Sequence, residues 1–429
     1  MSWNKLLAGC VLGVLGGLVG ALAPAAQAYP AAPGVKAAAA VVIDADSGQV
    51  LFERNAHQRR APASTTKIMT SLLAVESGRL DEYVTVSKHA ASIGESTIYL
   101  KEGERLKLRD LVYGVLLSSG NDASTAVAEH LGGSEANFVD LMNRRAQALG
   151  LRDTHFNNPH GLPSEGHVSS AYDLAVMLRE ASHHADWNEI AQSKFKRIPG
   201  FGKPDGRVLR NHNKLLWNYA WATGGKTGYT VAAGRCFVGS AKRGGRHVIQ
   251  STLASKDLWA DSQSLLTFGL DRFENVAVAR KGEIVGTVPI QAGHSRMVEV
   301  IAPRDVTVSL PVGQADRVAL QQVWQLPDEL VAPVSQNQPV GQLVVRHGER
   351  VLQTVPLVAA ATVPVAATPW ETLTSWVFPG MVTASLLSLV RLKGWRRRRR
   401  ARRVPRPPLL QGEGLKRNPV KRKRFPHAS

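Results

Sequence analysis

Cysteine is nearly absent. Cys10 and Cys236 are the only two in 429 residues, and Cys10 falls inside an apolar leader. Once that leader is removed a single thiol remains, so no internal disulfide can brace the mature chain and the fold must rest on its core even in an oxidising compartment. Metal-ligand spacing is missing too. His155, His160 and His167 stand near Glu165, but their spacing matches no zinc motif, so no metal or other cofactor is expected and they are read as loop residues packing near a site. Acidic residues are scarce, 34 Asp/Glu against 53 Lys/Arg, for a formal net charge of +19. The imbalance belongs to a tail, since 16 of the basic residues and one acidic residue lie between Arg391 and Ser429. The rest has an ordinary globular balance, and no nucleic-acid partner is expected.

Long apolar runs occur only at the two ends. Lys5, the uncharged stretch Leu6 to Ala23 and Ala26-Gln27-Ala28 have the charged, apolar and cleavage regions of an export signal. Residues 1–28 therefore read as a signal peptide, followed by a short leader over 29–36. "LAGC" (Leu7 to Cys10) resembles a lipoprotein box but precedes most of the apolar run, and it is discounted. At the other end a linker over 361–371 leads to Thr372–Val390, 19 uncharged residues followed by Arg396 to Arg400. Such a helix is about 28 Å long, near the thickness of a bilayer's hydrocarbon core, and the positive-inside rule puts the arginines in the cytoplasm. The expectation is a membrane anchor over 372–395, spanning the cytoplasmic membrane, with a basic tail over 396–429. Six Ser/Thr residues and Pro379-Gly380 weaken the span and leave an in-plane helix held by anionic lipid as the other arrangement.

Between the ends, two β-rich runs flank the turn signal Asp44-Ala-Asp-Ser-Gly48 and predict a hairpin. "STTKIMTSLLAVESG", "LRDLVYGVLLSS", "SEANFVDLMNRRAQALG" and "SAYDLAVMLREAS" have helical apolar spacing. "GRCFVGSAKR" and "RHVIQSTLAS", joined by Gly244-Gly245, predict a second hairpin, and "ADSQSLLTFGLDRF" returns to helix. Helices and an antiparallel sheet therefore share residues 37–274. From Asn275 short β runs broken by Gly, Pro and Asp predict a small all-β domain over 275–360.

Three short motifs carry the chemistry. Ser64 and Lys67 in "PASTTKIMT" are three apart, so a helix puts both on one face. A lysine buried there can lose its proton near neutral pH and serve as base for the hydroxyl. Taken alone, the pair is better explained by a capped, solvated helix start. Downstream, Ser119-Gly120-Asn121 closes the helix "LVYGVLLSS", and Lys226-Thr227-Gly228 lies in "GGKTGYT", just before the second hairpin. In the order S-x-x-K, S-x-N, K-T-G these form the signature of active-site serine penicillin-recognising enzymes.

With those motifs the chain resembles the D-alanyl-D-alanine carboxypeptidases, low-molecular-mass penicillin-binding proteins. "VVIDADSGQVLFERN", "YLKEGERLKLRDLVYGVLLSSGNDAS", "FVDLMNRRAQALGLRDTHFNNPHGLP" and "KTGYTVAAGRCFVGSAKRGGR" share the family's look, and the β-rich segment resembles its second domain. The resemblance implies an α+β fold, with a β-lactamase/transpeptidase-like catalytic domain ahead of the small β domain. It implies a serine peptidase that removes the terminal D-alanine from peptidoglycan stem peptides and is acylated by β-lactams. Ser64 is then the nucleophile, Lys67 its base with Lys226 as the second cation, and Ser119 a proton relay. Asn121 holds the substrate's peptide group, Lys226, Thr227 and Gly228 serve the carboxylate, and the backbone N–H groups of Ser64 and Tyr229 form the oxyanion hole. One departure stands out: the family often has an arginine just before the helix at Asp261, where this chain reads "DLWAD".

Rival readings share the fold or discard the chemistry. A β-lactamase would need an E-x-x-L-N element that is missing between Asn121 and Lys226. A DD-endopeptidase is closer, and the added β domain favours the carboxypeptidase. A non-catalytic wall-binding module would be expected to have lost Ser64 or Lys67.

Overall fold

The run Ala39–Ile43 shows no polar alternation because its strand is buried on both faces. The computed structural model describes residues 29–313, 320–366 and 369–401; the expected signal peptide and most of the basic tail lie outside the described residues. Strand β1 (Ala39–Asp44) sits inside a five-stranded antiparallel sheet with β2 (Val50–Arg54), β3 (Ala222–Thr230), β4 (Gly234–Arg243) and β5 (Arg246–Ser255). The strand order is β2-β1-β5-β4-β3, so β3 is an edge. Val41 and Ile43 face a core shared with helices α1 (Lys67–Glu76), α2 (Leu108–Leu117), α3 (Asn121–Gly132) and α4 (Ala171–Ala181). Ala40 and Val42 face the opposite layer, where α5 (Leu258–Asp271) contributes Leu265, Leu266 and Phe268.

Both expected hairpins form, β1–β2 and β4–β5. Other elements differ from expectation. Asn121 does not close the helix over 108–117; it opens α3, after Ser119 takes a left-handed φ of 61°. Lys226-Thr227-Gly228 does not precede the sheet but lies within its edge strand. A hairpin of Phe195–Gly200 with Lys203–Arg210 was not legible, because it buries only Ile198 and Leu209 among exposed aromatic and basic residues, too few inward positions to show alternation.

The all-β part pairs Phe273–Ala279 with Val306–Pro311 and adds a six-stranded sheet between Ile284 and Ala359. Val363 and Val365 bridge to Val334 and Gly293, so the expected linker's first residues are tied into this part. The β1–β2 turn docks it. Gln49 behaves like a strand edge: its Nε2 donates to Ser309 O (2.7 Å) and its Oε1 accepts from Ser309 N (2.8 Å). Gln353 Nε2 donates to Ser47 O at 3.2 Å.

The C-terminal helix runs Pro369–Ala401. Among the described residues no helix is long and apolar enough to cross a membrane. The expected span over Thr372–Val390 is therefore not supported. Its apolar residues are diluted by Ser and Thr and run directly into Arg391 and Lys393.

Candidate active site

Ser64 lies on a 3₁₀ turn, Ala63–Thr66, that runs into α1. In such a turn residues three apart eclipse, and Lys67 Nζ donates to Ser64 Oγ at 3.0 Å. The ammonium is fully buried and has two further acceptors, Asn121 Oδ1 at 2.7 Å and the His160 carbonyl at 2.6 Å. Burial pushes the Lys67 proton affinity well down, the charge of Lys226 lowers it further, and Asp122 and Glu95 act the other way. The helix cannot slide away to relieve the charge. Ile68, Met69 and Leu72 are fully buried behind it, each contributing about 1.5–3 kcal/mol.

The other motifs converge on this pair. Lys226 Nζ donates to Ser119 Oγ (3.1 Å) and to the Thr227 carbonyl (2.8 Å), and desolvation lowers its pKa to about 7. Asn121 Nδ2 donates to Gly94 O at 2.9 Å and its backbone N–H to Ser96 O at 2.7 Å. Asp122 accepts from the N–H groups of Ile98 and Leu100. The start of α3 thus ties down the whole segment from Gly94 to Leu100. Edge strand β3 meets the nucleophile turn at Gly228, where a Cβ would stand 3.0 Å from Pro62 O, Ser64 N and Thr65 N.

Ser64, Ser119, Thr227, Gly228 and Tyr229 line one cleft of about 770 Å³. All eight residues singled out by motif lie in or directly beside it; Lys67, Asn121 and Lys226 are buried beneath its wall. Sequence reasoning missed several partners. The His160 carbonyl acts through its backbone, and no residue type announces that. Gly161 has φ +89° and would put a Cβ 1.9 Å from Ala63 O. Glu95, His212 and Arg235 line the cleft without belonging to any motif, and Leu258 and Trp259 line it where the family's arginine was looked for.

The histidines pack around the nucleophile turn. His167 Nδ1 accepts from Asn157 N (3.0 Å), which leaves Nε2 to donate to Thr66 Oγ1 at 2.9 Å. Burial lowers its pKa to about 4, and that of His160 to about 3, so both are neutral. The one cluster of metal-type ligands among the described residues is Glu76, Glu180 and His184. Arg145 closes it by donating to both carboxylates. Cys236 is a buried core residue on β4, its thiol pKa raised to about 11 by desolvation.

The sequence pattern of the family described as "D-alanyl-D-alanine carboxypeptidase" matches residues 26–257, more than half of the chain. The chain belongs to the D-alanyl-D-alanine carboxypeptidase family. A second pattern, "Penicillin-binding protein 5, C-terminal domain", matches residues 273–365. D-alanyl-D-alanine carboxypeptidase DacF of Bacillus subtilis is 34% identical over 76% of this chain and 85% of its own length. DacA of Escherichia coli is 34% identical over 78% of this chain and 85% of its own. The crystal structure of penicillin binding protein 5 from Haemophilus influenzae superposes with a TM-score of 0.67 at 29% identity, covering 78% of this chain and 99% of that one. As a member of this carboxypeptidase family the chain is a serine peptidase, a hydrolase of the penicillin-binding fold with an α+β part followed by an all-β one.

Proposed function

We propose that this carboxypeptidase removes the terminal D-alanine from peptidoglycan stem peptides through an ester on Ser64. The observation that carries this is the Lys67 ammonium site: buried, 3.0 Å from Ser64 Oγ and holding its proton weakly. Neutral Lys67 takes the Ser64 proton as Oγ attacks the penultimate carbonyl. Backbone N–H groups of Ser64 and Tyr229 receive the developing oxyanion. Ser119, bonded to Lys226, relays a proton to the leaving amine as the C–N bond breaks, and D-alanine departs. Asn121 orients the acyl-side peptide group, while Lys226, Thr227 and Gly228 shape the carboxylate end. Water then attacks the ester with Lys67 again as base, releasing the shortened peptide and restoring the Ser64 hydroxyl. A β-lactam enters by the same attack and leaves slowly, because its amine leaving group stays tethered.

Mass spectrometry after penicillin treatment tests the assignment. A penicilloyl adduct is expected on Ser64, absent in Ser64→Ala, with acylation slowed about 10²–10⁴-fold in Lys67→Ala. An adduct on another residue would overturn it.

The export signal and the basic C-terminus support placement outside the cytoplasmic membrane and attached to it. From Met381 to Trp395 the helix exposes apolar side chains on all sides, with Arg396, Arg397 and Arg398 just beyond. The arginines suit anionic lipid headgroups, with the exposed apolar side chains against the adjoining acyl boundary.

A further inference from the structure

The hairpin of Phe195–Gly200 with Lys203–Arg210, and the short helix Leu215–Asn218 after it, concentrate charge of one sign outside the catalytic cleft. Residues 194–218 hold seven Lys/Arg and one Asp, in a folded region whose overall charge is close to balanced. Part of that charge is engaged. Arg207 pairs with Glu104, Arg197 donates to the Asp205 carbonyl, and Lys196 lies over the Tyr113 ring. Lys194, Arg210 and Lys214 differ: all three are exposed, and none makes a side-chain hydrogen bond or ion pair among the described residues.

Two of them rest on rings instead. Phe195 and Arg210 are cross-strand partners and share a face. The Arg210 guanidinium lies 6.0 Å from the Phe195 ring centre and 5.6 Å from that of Trp217, and Lys194 Nζ lies 6.0 Å from the Trp217 ring centre. The two rings meet edge to face at 6.0 Å. A ring face steadies a cation without cancelling its charge, whereas a carboxylate would cancel it. The three cations therefore keep their full charge toward solvent. Asn211 fixes the base of the arrangement, its Nδ2 donating to Ala191 O at 3.1 Å and Ser193 O at 3.0 Å. Arg210, Lys214 and Trp217 line a groove of about 800 Å³ that reaches His212 at the rim of the catalytic cleft.

We propose that this groove binds a thread-like polyanion of phosphodiester-linked units, an anionic wall polymer outside the cytoplasmic membrane. Charge complementarity carries the choice. Two cations gathered at one indole call for anions at close intervals, which a polymer charged at every unit supplies. The guanidinium presents a fork of N–H donors that matches phosphate oxygens, and a concave groove admits a chain where a flat bilayer would rest on its rim. The proposal rests on the placement of the chain outside the membrane and on no step of the acyl transfer.

The test uses the full mature chain and a photoreactive oligomer of glycerol phosphate, with the labelled peptides mapped by mass spectrometry. Mapping is needed because the basic tail beyond Arg391 also attracts polyanions. Adducts are expected within residues 194–218 as well as on the tail, and those within 194–218 should fade as salt rises. Lys194→Gln and Arg210→Gln should each lower labelling of 194–218 about two- to fivefold and leave labelling of the tail unchanged. Trp217→Leu removes no charge, yet it should also lower labelling of 194–218, and Trp217→Phe should restore much of it; thermal midpoints near that of the wild type show that the fold is kept. Adducts on the tail alone, or labelling of 194–218 that survives both cation changes, would overturn the proposal. So would equal labelling by an oligosaccharide bearing carboxylates in place of phosphates. Protection of 194–218 by vesicles of anionic lipid, with none by neutral vesicles, would put a membrane surface there and overturn it as well.

Discussion

At the residue scale the site is a problem of two ammonium groups sharing one buried region. Each costs solvation, and each discourages the other's charge. The neighbours divide the labour: Lys67 is desolvated and faces Lys226, and so gives up its proton well below the usual lysine range. Lys226 keeps its own to about 7. The sign of the pH dependence follows. On the acid side acylation requires neutral Lys67, so the rate climbs as pH rises through its lowered pKa. Above about 7 Lys226 discharges, and the carboxylate end of the cleft loses that positive charge, so kcat/KM should fall again. The profile belongs to the coupled pair. In Lys226→Met the positive neighbour is gone, Lys67 holds its proton more tightly, and the acid limb of penicillin acylation should move to higher pH. A limb that stays in place or moves downward would contradict this electrostatic account.

At the scale of elements, two glycines separate folding from chemistry. Gly161 approaches Ala63 so closely, with φ +89°, that a methyl has no room. Gly161→Ala should destabilise the catalytic part by about 3 kcal/mol or more, seen as a lower thermal midpoint. Gly228 has an ordinary φ, and its Cβ would only press on the nucleophile turn at 3.0 Å. Gly228→Ala should leave the midpoint within a few degrees but cut acylation about 10²-fold, because a displacement on the order of 1 Å between strand and turn misplaces the attacking oxygen. Equal effects of the two changes on stability would show that the close approach of β3 is merely structural. The same elements explain why Asn121 can act at all. It opens α3, so its side chain reaches from a helix start to Lys67 and Gly94 beneath the cleft wall while Asp122 anchors Ile98 and Leu100 beside it.

At the scale of the whole molecule, the folded parts hold together through the β1–β2 turn, with Gln49, Ser47 and Asp44 facing Ser309 and Gln353. On the proposed reading the C-terminal helix adds attachment without chemistry. Deleting residues after Pro369 should leave a soluble protein with unchanged D-alanine release. The full mature chain should co-sediment with vesicles containing anionic lipid, and markedly less with neutral ones or at high salt. Binding of the truncated protein equal to that of the full chain would place the membrane contact elsewhere.

What the sequence by itself determined is what depends on near neighbours. Ser64 and Lys67 share a face because three residues is one turn. The hairpins at Asp44–Gly48 and Gly244–Gly245 follow from turn chemistry, and the buried strand over 39–43 from its unbroken apolar run. The motif order and the family resemblance carried the reaction class. Tertiary structure decided everything that needs distant segments to meet. Lys67 finds Asn121 across 54 residues, and Lys226 finds Ser119 across 107. β1 pairs with β5 rather than only with its hairpin partner, and that pairing builds the sheet whose edge carries Lys226. The His160 carbonyl and the tight fit at Gly161 were illegible for one reason. A backbone oxygen and a steric limit are properties of what lies nearby in space, and the residue's own letter does not record them.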